Sequence, residues 1–188
     1  MWIRSATKDD LATVRELLVE TWHATYDDVY GVEKVNAVTN RYHSLDALKK
    51  QLAKPYSEFI LADDGADLYG MAYASQKDHK LALLNQLYVH PEKQSNGVGS
   101  LLLAEVESAF PGVFMLQLEV IESNQKARRF YESRGFDLTG ARTDNWGEAN
   151  SGLSVLVMER SLSGYELAPC PLPMSPFFSA PSARTCRR

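Results

Sequence analysis

The chain has 188 residues, 45% hydrophobic and 23% charged, with a formal net charge of −4. That is the make-up of one globular domain with or without a tail, and its sign gives no support to a nucleic-acid or anionic-membrane partner. Cys170 and Cys186 are the only cysteines, which argues against a disulfide scaffold or a structural zinc site. No run reaches the ~18–20 apolar residues of a spanning helix, and Met1-Trp2-Ile3-Arg4 lacks the apolar stretch of a signal peptide, so the cytoplasm is the expected location.

Two textures divide the chain. Residues 1–162 alternate apolar-periodic segments with short turns and read as one domain. Residues 163–188 carry Pro169, Pro171, Pro173, Pro176 and Pro181 and end in arginines, which reads as an irregular tail. Within the domain, residues 2–6 form a first strand. Thr7 and Asp10 open a helix in which Leu11, Val14, Leu17, Leu18 and Trp22 keep helical spacing. His23, Tyr26, Asp27, Asp28 and Tyr30 follow and read as a polar loop with aromatic anchors. Ser44 caps a second helix that Pro55 stops. Strands at 59–62 and 68–74 flank a turn at Asp63-Asp64-Gly65. A long apolar strand runs over 81–89, a helix over 98–110, a strand over 114–120, and a helix over 124–134 that Gly135 ends. Strands at 136–139 and 153–158 close the domain, with Trp146 in the connection. Hairpins followed by a strand–helix–strand unit make a mixed α/β sheet rather than a regularly alternating one.

Chemistry concentrates in two clusters. The first is Gln94-Ser95-Asn96-Gly97-Val98-Gly99-Ser100, between the strand ending at Val89 and the next helix. A glycine loop feeding a helix leaves backbone N–H groups unpaired and aligned with the helix dipole, a ready seat for phosphate oxygens. A nucleotide-binding lysine loop is absent, because Ser100 and Leu101 follow Gly99. The dinucleotide fingerprint is absent too, because Leu102 stands where its third glycine belongs. The second cluster is Leu118-Glu119-Val120, Asn124, Ala127, Phe130-Tyr131 and Gly135-Phe136.

With these spacings, residues 81–140 resemble the GNAT N-acetyltransferases, nearest in motif to the branch acting on ribosomal-protein alanine termini. Ile3-Arg4-x-Ala6 and Asp10 resemble the family's opening strand and helix. Ser95 is a departure, since many members carry glycine there. The resemblance implies the GNAT fold: a mixed, mostly antiparallel sheet of six to seven strands with helices on both faces. It implies acetyl-CoA as co-substrate, no metal, and direct attack by a primary amine in a ternary complex. The acceptor is a small-molecule amine or a peptide N-terminus, and a homodimer is left open. Residues 94–100 would take the pyrophosphate. Backbone at Leu87, Tyr88 and Val89, with Asn124 and Tyr131, would hold the pantetheine and thioester, and Phe130 would turn to the core. Tyr131 is the candidate general acid. Glu119 is the candidate base, with an ordered water as the alternative and a pairing with Arg128 or solvent as its structural role. Trp22, Tyr26 and Tyr30 would shape acceptor binding. His43, His79 and His90 lack metal-ligand spacing. A non-catalytic acyl-CoA sensor that kept the loop and lost turnover is the alternative function.

Overall fold

The computed structural model describes residues 1–144 and 153–162. The connection holding Trp146 and the proline-rich tail lie outside the described residues. In chain order the elements are β1 (Trp2–Ser5), α1 (Leu11–Tyr30), α2 (Val32–Tyr42), α3 (Leu45–Leu52), β2 (Ser57–Asp63), β3 (Leu68–Gln76), β4 (Leu81–Val89), α4 (Val98–Ser108), β5 (Met115–Ile121), α5 (Gln125–Glu132), β6 (Asp137–Asp144) and β7 (Leu153–Ser161). The strands form one seven-stranded sheet in the order β1-β2-β3-β4-β5-β7-β6. Only the β4–β5 pair is parallel among those hydrogen-bonded neighbours. The mixed, mostly antiparallel sheet expected from the sequence is thus present.

Helices cover both faces. On one, Leu102, Leu103 and Val106 of α4 and Tyr131 of α5 pack on Ala72, Ala74, Leu84, Leu116 and Leu118. On the other, Leu11, Val14 and Leu18 of α1 and Leu48 of α3 pack on Leu61, Met71 and Tyr73. Arg4 donates to Asp63 at 2.6 Å and to Asp10 at 2.7 Å, tying the first two strands to the start of α1.

Two differences from the sequence reading matter for function. The segment holding His23, Tyr26, Asp27 and Tyr30 is not a loop: α1 continues for 20 residues to Tyr30 and is ended by Gly31 at φ 81°. Its polar residues occupy the outer side of a helix whose inner side changes from aliphatic to aromatic at Trp22, Tyr26 and Tyr30, each one turn from the last. A further helix, α2, then buries Val35, Val38 and Thr39.

The sheet opens at its centre. β4 and β5 pair only from Leu81 with Met115 to Leu84 with Leu118, and beyond that point they separate. At the same place the β3–β4 register jumps, with Tyr73 opposite Gln86 but Ala74 opposite Leu84. Asn85 is therefore a bulge, and a bulge reverses which way the following side chains point. In an unbroken pleat Gln86 and Tyr88 would share a face with Ala82 and Leu84. Past the bulge, Leu87 and Val89 pack toward α4, while Tyr88 packs toward α1.

Candidate active site

A cavity of about 780 Å³ runs from the glycine loop to the open seam between β4 and β5. A smaller one of about 220 Å³ continues through the seam, and the two share Tyr26, Leu87, Tyr88, Asn124, Ala127 and Tyr131 as common wall.

At the outer end, Gly97 takes φ 81°, ψ −5° at the N-cap of α4. Ser95 takes φ 67°, a left-handed conformation that glycine adopts without strain and that explains why glycine suits this position. Gln94 donates its side-chain N–H to the Val89 carbonyl at 3.1 Å, fixing the loop to the end of β4. Gln94, Ser95, Gly97, Gly99 and Ser100 line the cavity. Two predicted loop residues do not: Val98 is 2% exposed in the core, and Asn96 is exposed outside the cavity wall. A Cβ on Gly99 would stand 3.4 Å from Phe130 and 3.6 Å from Val89, so a small side chain fits but narrows the cleft. Lys126 and Arg134 also line the cavity; Lys126 donates to Gln94 and Arg134 to Ser100. These partners are neutral, so two cations and the α4 dipole set a positive field at the loop, which suits a phosphate.

In the seam, Asn124 is held at both ends of its amide: its Oδ1 accepts from the Ala127 N–H at 3.0 Å, capping α5, and its Nδ2 donates to the Tyr26 hydroxyl at 3.0 Å. Tyr131 is 7% exposed and lies in the wall of both cavities. Burial first, and the neighbouring Tyr26, raise its phenol well above the usual tyrosine range, so it is protonated throughout neutral pH. Phe130 packs against the core as expected, but it is the more exposed of the two rings and also lines the outer cavity against Gly99. The helix start sits one residue later than a purely periodic reading gives, because Asn124 is the cap.

Trp22 lines the inner pocket and donates its Nε1–H to the Tyr88 hydroxyl at 3.0 Å. Tyr26, whose phenol burial pushes up to about 12, faces both cavities, and the Tyr30 hydroxyl lies 3.1 Å from Ser123 at the rim. Glu119 lines the inner pocket, yet Arg142 reaches across β7 to hold both its oxygens, at 2.9 and 2.6 Å. Arg128 instead pairs with Glu132. Sequence reasoning did not single out Gln86, Lys126, Arg134 or Arg142. For Gln86 a signal existed, since Asn85-Gln86 is the one polar interruption of a long apolar strand. Among the described residues, no group of three or more His, Cys, Asp or Glu is placed to hold a metal, and no helix is long and apolar enough to cross a membrane.

A splayed mixed sheet with a glycine-led helix start on one side of the gap and a buried tyrosine within it fits an acyl-transferase type of site. The acetyltransferase (GNAT) domain family matches residues 26–160. The chain belongs to that family and is an N-acetyltransferase. It is 28% identical over 140 residues to the spermidine N(1)-acetyltransferase of Thermoplasma acidophilum, covering 71% of this chain and 86% of that one. The PaiA N-acetyltransferase of the same organism, solved in complex with coenzyme A, superposes with a TM-score of 0.74 at 23% identity, over 85% of this chain and 98% of that one. The ribosomal-protein-S18-alanine N-acetyltransferase of Escherichia coli gives 0.67 at 20% identity, over 89% and 97%. At these identities the structural likenesses speak for the fold.

Proposed function

We propose that the cavity binds acetyl-CoA and that the protein passes its acetyl group directly to a primary amine. The observation that carries this is the continuity of one cleft from the loop at α4 to Tyr131 in the seam. The fit is specific to the parts of that donor. The amides of Val98 and Gly99 at the start of α4 have no backbone acceptor one turn back, at the end of the cleft where Lys126 and Arg134 add charge for phosphates. Where β5 has left it, the edge of β4 offers the backbone groups of Leu87 and the Val89 N–H to the amides of the pantetheine arm, the Val89 carbonyl being held by Gln94. A backbone N–H there stabilises the thioester oxygen as it gains charge.

For the transfer, the amine nitrogen bonds to the carbonyl carbon, the carbon–sulfur bond breaks, and the amine loses one proton while the sulfur accepts one. Tyr131 donates toward the departing sulfur. Glu119, or a water it orients, takes the amine's proton. The coenzyme A complex of the PaiA relative supports the donor, and the spermidine and ribosomal-protein-alanine acetyltransferases among this chain's relatives support an amine acceptor. The sensor reading predicts binding without turnover.

The test is calorimetric titration of acetyl-CoA beside Gly99→Asp, followed by an assay of thiol release with an amine panel. Micromolar binding, lost when a carboxylate enters the loop, is expected. In the same assay Tyr131→Phe should keep binding and lose about 10²–10⁴ in kcat, the usual worth of general acid–base help. Absence of binding by the parent sinks the proposal, and binding without thiol release from any amine leaves the sensor.

A further inference from the structure

The inner pocket narrows the acceptor, on the footing of the transfer reading above. We propose that the acceptor is the α-amino group of a peptide or amino acid rather than a polyamine, and that Gln86 is the residue that seats it.

The first reason is charge. Among the described residues, the two cavities are lined by a single carboxylate, Glu119, and by the cations Lys126 and Arg134. A polyamine brings several ammonium groups and needs several carboxylates. Here the one carboxylate is already gripped on both oxygens by Arg142. A single amine entering between Trp22, Tyr26 and Tyr88 meets ring faces, side-chain amides and the one carboxylate of Glu119.

The second reason is the proton. Only a neutral amine attacks. An alkylammonium with a pKa of ~10.4 is almost wholly protonated at pH 7, whereas an α-amino group near ~7.8 is neutral in a useful fraction. No histidine lines either cavity among the described residues, and Glu119, the one carboxylate there, spends part of its acceptor capacity on Arg142. A site so poor in available base suits the amine that needs least help.

The third reason is Gln86. The side-chain amides in the inner pocket are those of Asn85, Gln86 and Asn124. Asn85 donates to Ser75 and to the Leu83 carbonyl, and Asn124 is held at both ends of its amide, by Ala127 and Tyr26. Gln86 alone has an enclosed Oε1 with no hydrogen-bond partner, while the residue as a whole keeps some exposure at the pocket wall. An enclosed acceptor without a donor is costly. Turning the amide about its last torsion exchanges its oxygen and NH₂. It can then accept from the amine or donate to a neighbouring carbonyl. An α-amine has a carbonyl carbon two bonds away; a polyamine has none. The pocket's volume of about 220 Å³ suits one terminal residue.

The experiment uses the full chain with saturating acetyl-CoA. The acceptors are short peptides with free α-amines, the same peptides N-terminally blocked but carrying lysine, free amino acids, and spermidine. Free α-amines should exceed spermidine and the blocked lysine peptides at least tenfold in kcat/KM. Gln86→Met should raise the peptide KM about tenfold, the worth of one good hydrogen bond. It should leave the KM for acetyl-CoA unchanged and the Tm unchanged or higher, because a buried orphan is removed. That split separates a seating role from a merely structural one. Spermidine used as well as peptides, or a peptide KM untouched by Gln86→Met, overturns this proposal and leaves acetyl transfer standing. Loss of acetyl-CoA binding by the parent overturns both.

Discussion

Single residues in this chain show where burial sets chemistry. His43 follows α2 with both ring nitrogens enclosed and without hydrogen-bond partners. Its ring lies 5.6 Å from Trp22 and 6.0 Å from Tyr88, beneath the acceptor side of the cleft. Burial first, and the charge of Arg15 second, lower its pKa to about 4. An unfolded histidine binds a proton below pH ~6.5 that the folded one refuses. The stability tied to neutral His43 is therefore complete above that pH and is lost as pH falls toward 4. The amount at stake is about 3 kcal/mol. Thermal melts of the parent should decline from pH 7 to 4.5, and His43→Leu should flatten that decline. Equal slopes in both proteins would assign the acid sensitivity elsewhere. Nothing in the sequence marked this histidine: its spacing excluded a metal, but only packing reveals that it is enclosed.

Elements depend on a few close approaches. Gly70 in β3 lies opposite Val89, and a Cβ there would stand 2.7 Å from the Tyr88 carbonyl oxygen and 3.1 Å from a Leu102 methyl. The first of these neighbours is backbone and cannot move aside cheaply. Gly70→Ala should cost about 1–3 kcal/mol, as overpacking does, read as a lower denaturant midpoint with unchanged slope. A neutral outcome would mean that β4 yields at Tyr88. How much of such architecture was readable depends on range. β4 appeared in the sequence with its observed bounds because its apolar run is uninterrupted except at Asn85-Gln86, and Gly135, at φ 79°, marked the end of α5 correctly. The second half of α1 and all of α2 were missed. The apolar residues of the first are aromatic, those of the second are β-branched valines in a polar stretch, Val32, Val35 and Val38, and Gly31 separates two helices that pack on each other rather than ending helical structure. The bulge at Asn85 was invisible as well, since it is defined by β3, its partner strand. The loop at Gln94 and the cluster from Leu118 to Phe136 were legible because each is local. The Arg142 grip on Glu119 was not, because it joins residues 23 apart across an intervening strand.

At the scale of the molecule, the cleft divides two bodies of packing, α1 to α3 on one face of the sheet and α4 with α5 on the other. Where β4 and β5 part, no sheet hydrogen bond joins them, and side chains bridge the opening instead. One bridge is the Asn124 to Tyr26 hydrogen bond, between residues 98 apart. Both groups belong to the cleft wall, so this contact holds α1 at the distance the cavity requires. Tyr26→Phe keeps the ring against Trp22, 4.9 Å away, and removes only the hydroxyl. The unbound protein should lose about 1 kcal/mol, the net worth of one hydrogen bond, and its Tm should fall by about 2–4 °C for a chain of this size. Acetyl-CoA binding should weaken together with stability, because the Asn124 amide then turns in the cavity with a donor unmatched. A variant with lower Tm but parental acetyl-CoA affinity would show that the bridge serves only the fold, and that the cleft keeps its width through the sheet alone.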